Sequence, residues 1–249
     1  MKKMSCLLIV LGLGVATTAQ AAEITVSAAI SLSPAFRAIG QAYQQQHPQD
    51  RVLFNFAGSG VLVQQLAQGA PVDVLATADE DSMNQAAALD LIVASSREDF
   101  AGNRLVLVQP QASTLPLRRL ADLTTPAVQR IALGQPESVP AGRYARQVLQ
   151  QAGLWIALQP RLIPAQNVRQ ALDYVARGEV EAGFVYATEA RSAAPGVRVA
   201  LTLPVHPPVR YPIALTRHSL QPAAAARFVR FVQSRRGQQI LAQAGFLPR

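Results

Sequence analysis

The chain has 249 residues, half of them hydrophobic and 15% charged, with 23 Lys and Arg against 15 Asp and Glu for a formal charge of +8. Its one cysteine, Cys6, excludes a disulfide framework, a thiolate nucleophile and a cysteine metal site in the body of the chain. The arginines are scattered and no basic run is interleaved with aromatics, so the sequence argues against a nucleic-acid surface.

The first 21 residues read as a secretory signal peptide. Lys2 and Lys3 form a basic start, Cys6–Ala16 is an apolar run, and Ala19-Gln20-Ala21 supplies a small-x-small cleavage site. The run is shorter than the roughly 20 residues that a membrane-spanning helix needs. Cleavage leaves 228 residues from Ala22, with 21 arginines against 15 acids, a net +6 and no lysine. That length is sufficient for one large domain or two small lobes.

Short apolar runs then alternate with helical stretches, the pattern of α/β architecture. Strands are predicted over 24–30, 52–57, 73–78, 104–109, 130–133, 182–186, 197–203 and 211–216. A helix is predicted from Pro34 to about Gln46, with Ser33 as its N-cap, and another from about Gly60 to Gly69. Residues 140–151 place Ala141, Tyr144, Ala145, Val148 and Leu149 on one face, and Gly153 closes that helix. Residues 168–177 repeat the pattern with Val168, Ala171, Leu172, Val175 and Ala176, between an Asn167 cap and Gly178. Helical segments span about 222–244. Apolar strands between amphipathic helices predict sheets covered on both faces.

The chemistry lies in the turns that open these helices: Ser31-Leu32-Ser33-Pro34, Phe56-Ala57-Gly58-Ser59-Gly60, Val139-Pro140-Ala141-Gly142 and Asn167-Val168-Arg169. Helix N-termini present N–H groups without partners and a partial positive charge, so each turn offers an anion contact without a formal charge. The turns fall into two groups, around 31–59 and 141–186, separated by the strand at 104–109. Ligands of open α/β sheets bind beyond the carboxyl ends of strands. Two such groups predict two sheets facing each other across a hinged cleft.

These motifs, with Gly69-Ala70-Pro71-Val72-Asp73-Val74, Ala78-Asp79, Gly102-Asn103-Arg104-Leu105-Val106, Gly183-Phe184-Val185-Tyr186 and Tyr211-Pro212, follow one another in the order of a known family. The chain resembles the periplasmic molybdate-binding proteins (ModA) that feed ABC importers. The resemblance implies a two-lobed periplasmic-binding-protein fold of type II topology, with lobe 1 at 22–103 plus 212–249 and lobe 2 at 104–211. It implies capture of molybdate or tungstate by Ser31, Ser59, Ala141, Val168 and Tyr186, the two serines through hydroxyl and N–H, Ala141 and Val168 through backbone N–H, and Tyr186 through its phenol. The molybdenum is then held through its oxygens, with no residue coordinating metal directly, no cofactor and no catalytic residue. A monomer that hands its ligand to an inner-membrane ABC permease is the implied assembly. Gly58 and Gly60 stand where serines are common, and Glu189 where aspartate is usual.

Two rivals are weighed against this. The same fold could take another oxyanion such as sulfate, because pocket size cannot be read from sequence. An enzyme using Ser59 would need a Gly-x-Ser-x-Gly elbow, and Ala57 and Val61 stand where its glycines belong. His47, His206 and His218 have no metal-type spacing and are expected at the surface. On sequence alone, Ser59→Ala is expected to weaken anion binding and leave the ligand-free melting point nearly unchanged.

Overall fold

A computed structural model describes residues 21–193 and 195–248, so the leader reading lies, except for Ala21, outside the described residues. The elements in order are β1 (Glu23–Ala29), α1 (Ser33–Gln46), β2 (Arg51–Ala57), α2 (Ser59–Ala67), β3 (Val74–Ala76), α3 (Glu80–Ala88), β4 (Glu98–Gly102), β5 (Leu105–Pro110) and β6 (Ile131–Gly134). They continue with α4 (Pro140–Gln151), α5 (Trp155–Leu158), β7 (Leu162–Ala165), α6 (Val168–Ala176), β8 (Ala182–Tyr186), α7 (Ala187–Ser192), β9 (Val197–Leu203), β10 (Arg210–Leu215), α8 (Pro222–Gln233) and α9 (Arg235–Gln243).

The strands form two five-stranded sheets, β2-β1-β3-β10-β4 and β7-β6-β8-β5-β9. In the first, β1 runs parallel to β2 and β3, while β10 is antiparallel to β3 and β4. In the second, β6 runs parallel to β7 and β8, while β5 is antiparallel to β8 and β9. The chain passes from the first sheet to the second at Asn103-Arg104 and returns over residues 204–209. Two mixed sheets joined by two crossings make the two-lobed, type II architecture.

The predicted helix faces pack inward. In α4, Ala141, Ala145, Val148 and Leu149 are buried, and in α6 Val168, Ala171, Leu172 and Val175 are. Ala176 is exposed, at the frayed end of its stripe. Gly153 and Gly178 close these helices in the left-handed region, at φ of 69° and 70°, where glycine has no side-chain penalty. In the first lobe, Phe36 on α1 meets Phe54, Phe100 and Phe228 with ring centroids 5.6–6.3 Å apart, tying helices on one sheet face to strands β2 and β4.

Several local expectations are corrected. Ser33 is not an N-cap: a single 3-10 turn over Ile30–Leu32 runs straight into α1, and the Ser33 N–H donates to the Ile30 carbonyl. The helical segments expected over 222–244 are present as α8 and α9, divided at Ser234, which leaves helical geometry and caps α9 by accepting from the Gly237 N–H at 3.2 Å. The strand at 73–78 is only Val74–Ala76, because beyond it the chain turns into the cleft, where the Ala78 N–H donates to Ser59 Oγ. Five elements have no sequence reading, the four-residue helix α5 among them. Helix α3 buries only Ser82, Met83 and Ala86 and has no apolar stripe, β4 opens on Glu98-Asp99, β7 carries Pro164 on a sheet edge, and α7 is six residues long.

Helix α7 also buries an acid. Glu189 is 2% exposed, and that burial pushes its carboxyl up to about 8, against the opposing pull of the Arg169 charge and the Thr188 hydroxyl.

Two stability predictions follow from this packing. A Cβ built on Gly142 would lie 1.8 Å from the Gly134 carbonyl oxygen, a backbone atom that cannot rotate away. Helix propensity alone favours Gly142→Ala by about 1 kcal/mol, but overpacking of about 1–3 kcal/mol or more opposes it. The thermal midpoint is therefore expected to fall. The second concerns Glu189. Between the ordinary 4.5 and about 8, the folded chain keeps a proton that the unfolded chain has released. This group's contribution to stability is therefore full below that window and declines as pH rises through it. Thermal melts from pH 5 to 8.5 are expected to show that decline in the wild type and a flatter profile in Glu189→Gln.

Candidate functional site

Each sequence-marked residue lies just past the carboxyl end of a strand: Ser31 after β1, Ser59 after β2, Ala141 in the first turn of α4 after β6, Val168 at the start of α6 after β7, and Tyr186 at the end of β8. All five line one cavity between the two sheets. Its twelve lining residues include no charged side chain. Burial is nearly complete, with Ser59 and Ala141 fully buried and Tyr186, Ser31 and Val168 only 1–3% exposed. The free volume is about 10 Å³, room for about one water, so an anion of four oxygens enters only when the walls part.

The donors come from helix geometry. The N–H groups of Ser59, Ala141 and Val168, at the starts of α2, α4 and α6, come too early for a partner one turn back, while the Gly142 N–H already turns to the Val139 carbonyl at 3.0 Å, and the helix dipoles point positive ends at the cavity. The Asn167 side chain caps α6 by accepting from the Gln170 N–H at 3.0 Å, as its position before the apolar stripe predicts. The glycines beside Ser59 have a steric reason. A Cβ on Gly60 would meet the Ser138 Cα and carbonyl oxygen at 2.9 Å, and one on Gly58 would meet the Ser138 carbonyl oxygen at 3.3 Å. The loop passes hard against the opposite lobe, and the Gly60 N–H donates across the cleft to the Ser138 carbonyl at 3.0 Å.

The hydroxyls are oriented. Ser59 Oγ accepts from the Ala78 N–H at 3.0 Å, which leaves its own hydrogen for the cavity. Ser31 Oγ lies 3.2 Å from the Tyr211 hydroxyl. Tyr186 differs from the sequence expectation in one respect: its single hydrogen is donated across the cleft to the Ala78 carbonyl at 3.1 Å. Burial holds the Tyr186 and Tyr211 phenols far above their ordinary range, so both remain neutral donors.

Sequence reasoning singled out no partners for the residues that brace this cavity. Asp79 caps α3 by accepting from the Ser82 N–H, and it pairs across the cleft with Arg143 of α4, whose Nε and Nη2 approach Asp79 Oδ2 at 2.7 and 2.6 Å. Arg143 also donates to Ser82 Oγ at 2.7 Å. The position of Asp79 before α3 accounts for the cap, but nothing in its spacing selects a partner 64 residues away. Asp73 is a structural acceptor, taking the Thr25 N–H and the Ser219 hydroxyl. Among the described residues no group of three His, Cys, Asp or Glu could hold a metal ion. His206 and His218 are exposed, while His47 is half-buried against the Tyr43 ring.

Comparisons with known proteins agree with this geometry. Residues 24–247 match the family of bacterial extracellular solute-binding proteins. The chain is 32% identical to the molybdate-binding protein ModA of Haemophilus influenzae, over 98% of this chain and 97% of that one. It is 36% identical to ModA of Escherichia coli, over 90% and 88%. Among solved structures it is similar to the substrate-binding domain of a putative molybdenum ABC transporter from Clostridium difficile, with a TM-score of 0.70 and 33% identity over 92% and 99% of the two chains. The sulfate-binding protein SubI of Mycobacterium tuberculosis shares the fold, with a TM-score of 0.79 at 18% identity over 91% and 87%. Fold, motif order and relatives together place this chain in the ModA family of bacterial extracellular solute-binding proteins, which bind solutes and are not enzymes.

Proposed function

We propose that this protein captures molybdate or tungstate in the cavity between the sheets and delivers it to an inner-membrane ABC permease. The ligand contacts are Ser31, Ser59, Ala141, Val168 and Tyr186, and the moving bodies are the two lobes, with the second boundary at 209/210 rather than the expected 211/212 because β10 (Arg210–Leu215) belongs wholly to the first sheet. It acts as a monomer in the periplasm after loss of the leader. The observation that carries this reading is one uncharged cavity at the starts of three helices, lined by all five residues, in a chain whose relatives are named for molybdate.

Charge-assisted hydrogen bonds contribute roughly 1.5–3 kcal/mol each, so five of them offset the desolvation of a dianion without a cation in the wall. Molybdate, tungstate and sulfate carry no proton at neutral pH and suit a site of donors only. Phosphate usually carries one and requires an acceptor. Discrimination against sulfate is by size. In the closed cleft the Tyr186 hydrogen is held by the Ala78 carbonyl, so it reaches the anion only by exchanging that acceptor for a ligand oxygen.

Titration calorimetry with molybdate, tungstate, sulfate and phosphate tests the assignment. Molybdate and tungstate are expected to bind alike and far more tightly than the other two, and equal affinity for sulfate and molybdate overturns the reading. Ser59→Ala is expected to raise the molybdate Kd by about ten- to a hundredfold. Its ligand-free stability is expected to fall as well, because the Ala78 N–H loses its buried acceptor, at a cost of about 1–3 kcal/mol. Arg143→Leu removes the Asp79 pair that spans the closed cleft without touching the cavity wall. Its molybdate Kd is expected to rise by about tenfold, because the closed state becomes less populated.

A further inference from the structure

A hydrogen-bond chain ending on Ser31 begins where the polypeptide crosses between the sheets. Asn103, 5% exposed, occupies that crossing. Its Oδ1 accepts from the Arg104 N–H at 2.9 Å, which fixes the amide with its oxygen toward the backbone. Both amide hydrogens are then committed, one to Thr188 Oγ1 at 2.9 Å and the other to Tyr211 Oη at 3.2 Å. Tyr211 is fully buried, and Ser31 Oγ is the one acceptor found for its single hydrogen among the described residues. Tyr211 therefore donates and Ser31 accepts. The Ser31 hydrogen in turn has no acceptor among the described protein groups, and the space left for it is the cavity.

We infer that Asn103 is a positioning residue that, through Tyr211, fixes Ser31 as a hydrogen donor to the bound anion and so turns away oxyanions that carry a proton. This rests on the oxyanion reading of the cavity above. A serine hydroxyl free to rotate meets a ligand with either its hydrogen or a lone pair, and accommodates both an anionic oxygen and an acidic O–H. A serine whose lone pair is already engaged by a neutral phenol gains nothing by turning its hydrogen back. Ser59 is set the same way by the Ala78 N–H, but a backbone donor cannot be reversed by substitution. The Asn103 chain can be.

Asn103→Asp keeps the side-chain size but has no hydrogen to give. The Tyr211 hydrogen then turns to the carboxylate, and Ser31 donates to Tyr211 in place of the anion. The test is molybdate titration at pH 8 of the mature wild type, Asn103→Asp, Tyr211→Phe and the double variant. Asn103→Asp is expected to raise the Kd at least about thirtyfold in the wild-type background and no more than about threefold in the Tyr211→Phe background, where Ser31 has no phenol to turn to. Sulfate and hydrogen phosphate, alike in charge and nearly in size at that pH, are compared by competition. The phosphate-to-sulfate Kd ratio is expected to fall at least about tenfold in Asn103→Asp. An equal penalty in both backgrounds, or an unchanged ratio, means that added charge or general damage is responsible and overturns the inference. A wild type that binds no molybdate sinks the functional reading instead. If Asn103→Asp does not fold, the same cycle with the uncharged Asn103→Leu is expected to give about a fivefold loss that disappears in the Tyr211→Phe background, and additive losses overturn the inference.

Discussion

A hydroxyl has one hydrogen, and the structure depends on where each of those hydrogens points. Binding an anion without a cation in the wall requires every polar group on the cavity to face inward as a donor. Backbone N–H groups satisfy this automatically at helix starts. Hydroxyls do not, and each needs a neighbour that donates to it. Ser59 receives the Ala78 N–H, and Ser31 receives the Tyr211 phenol. Tyr186 in this closed arrangement donates to the Ala78 carbonyl, so one residue between β3 and α3 engages hydroxyls of both lobes.

The same contacts explain why the lobes meet tightly. Gly60 to Ser138, Tyr186 to Ala78 and Arg143 to Asp79 all span the two sheets. Each is a directed bond formed by groups that are otherwise solvated in an open cleft, so together they favour closure without making it irreversible. The Asp79–Arg143 pair stands at the rim, with side chains 3% and 18% exposed, and is shielded from water more than a surface pair. Arginine serves here as a strap rather than as an anion ligand, which keeps formal charge out of the cavity while using it to draw the lobes together.

Fold alone does not name the ligand. A sulfate-binding protein shares this architecture as closely as molybdenum-transport relatives do. What separates members of such a fold is the spacing of donors and the direction of hydroxyl hydrogens, and those are properties of a handful of side chains at strand ends. The crossings between lobes therefore carry two loads. Asn103 ties the lobes together at a crossing, through its bond to Thr188, and also stands one step from Ser31 in the hydrogen-bond chain through Tyr211.

Much of the fold was legible because the signals are local. The apolar faces of α4 and α6, the Asn167 cap and the glycines at 153 and 178 depend on residues within a few positions of one another, and the structure follows them. The helix-opening turns were legible because each needs only its own loop, whereas the five individual ligand residues came from the family resemblance, since Ala141 and Val168 carry no side-chain chemistry and Tyr186 ends a strand. Elements without local periodicity, α3 and β4 among them, were not, because partners elsewhere in the lobe hold them. Ser33 was misread as a cap because a 3-10 turn ahead of α1 supplies the geometry that a cap would otherwise provide. The sequence by itself determined which segments become strands and helices and which turns present donors, because those follow from short-range sterics and burial. Tertiary structure decided which donors meet and which way each hydroxyl faces, because Asn103 with Tyr211, Asp79 with Arg143 and Ala78 with Tyr186 lie 64 to 108 residues apart and are brought together only by the two crossings.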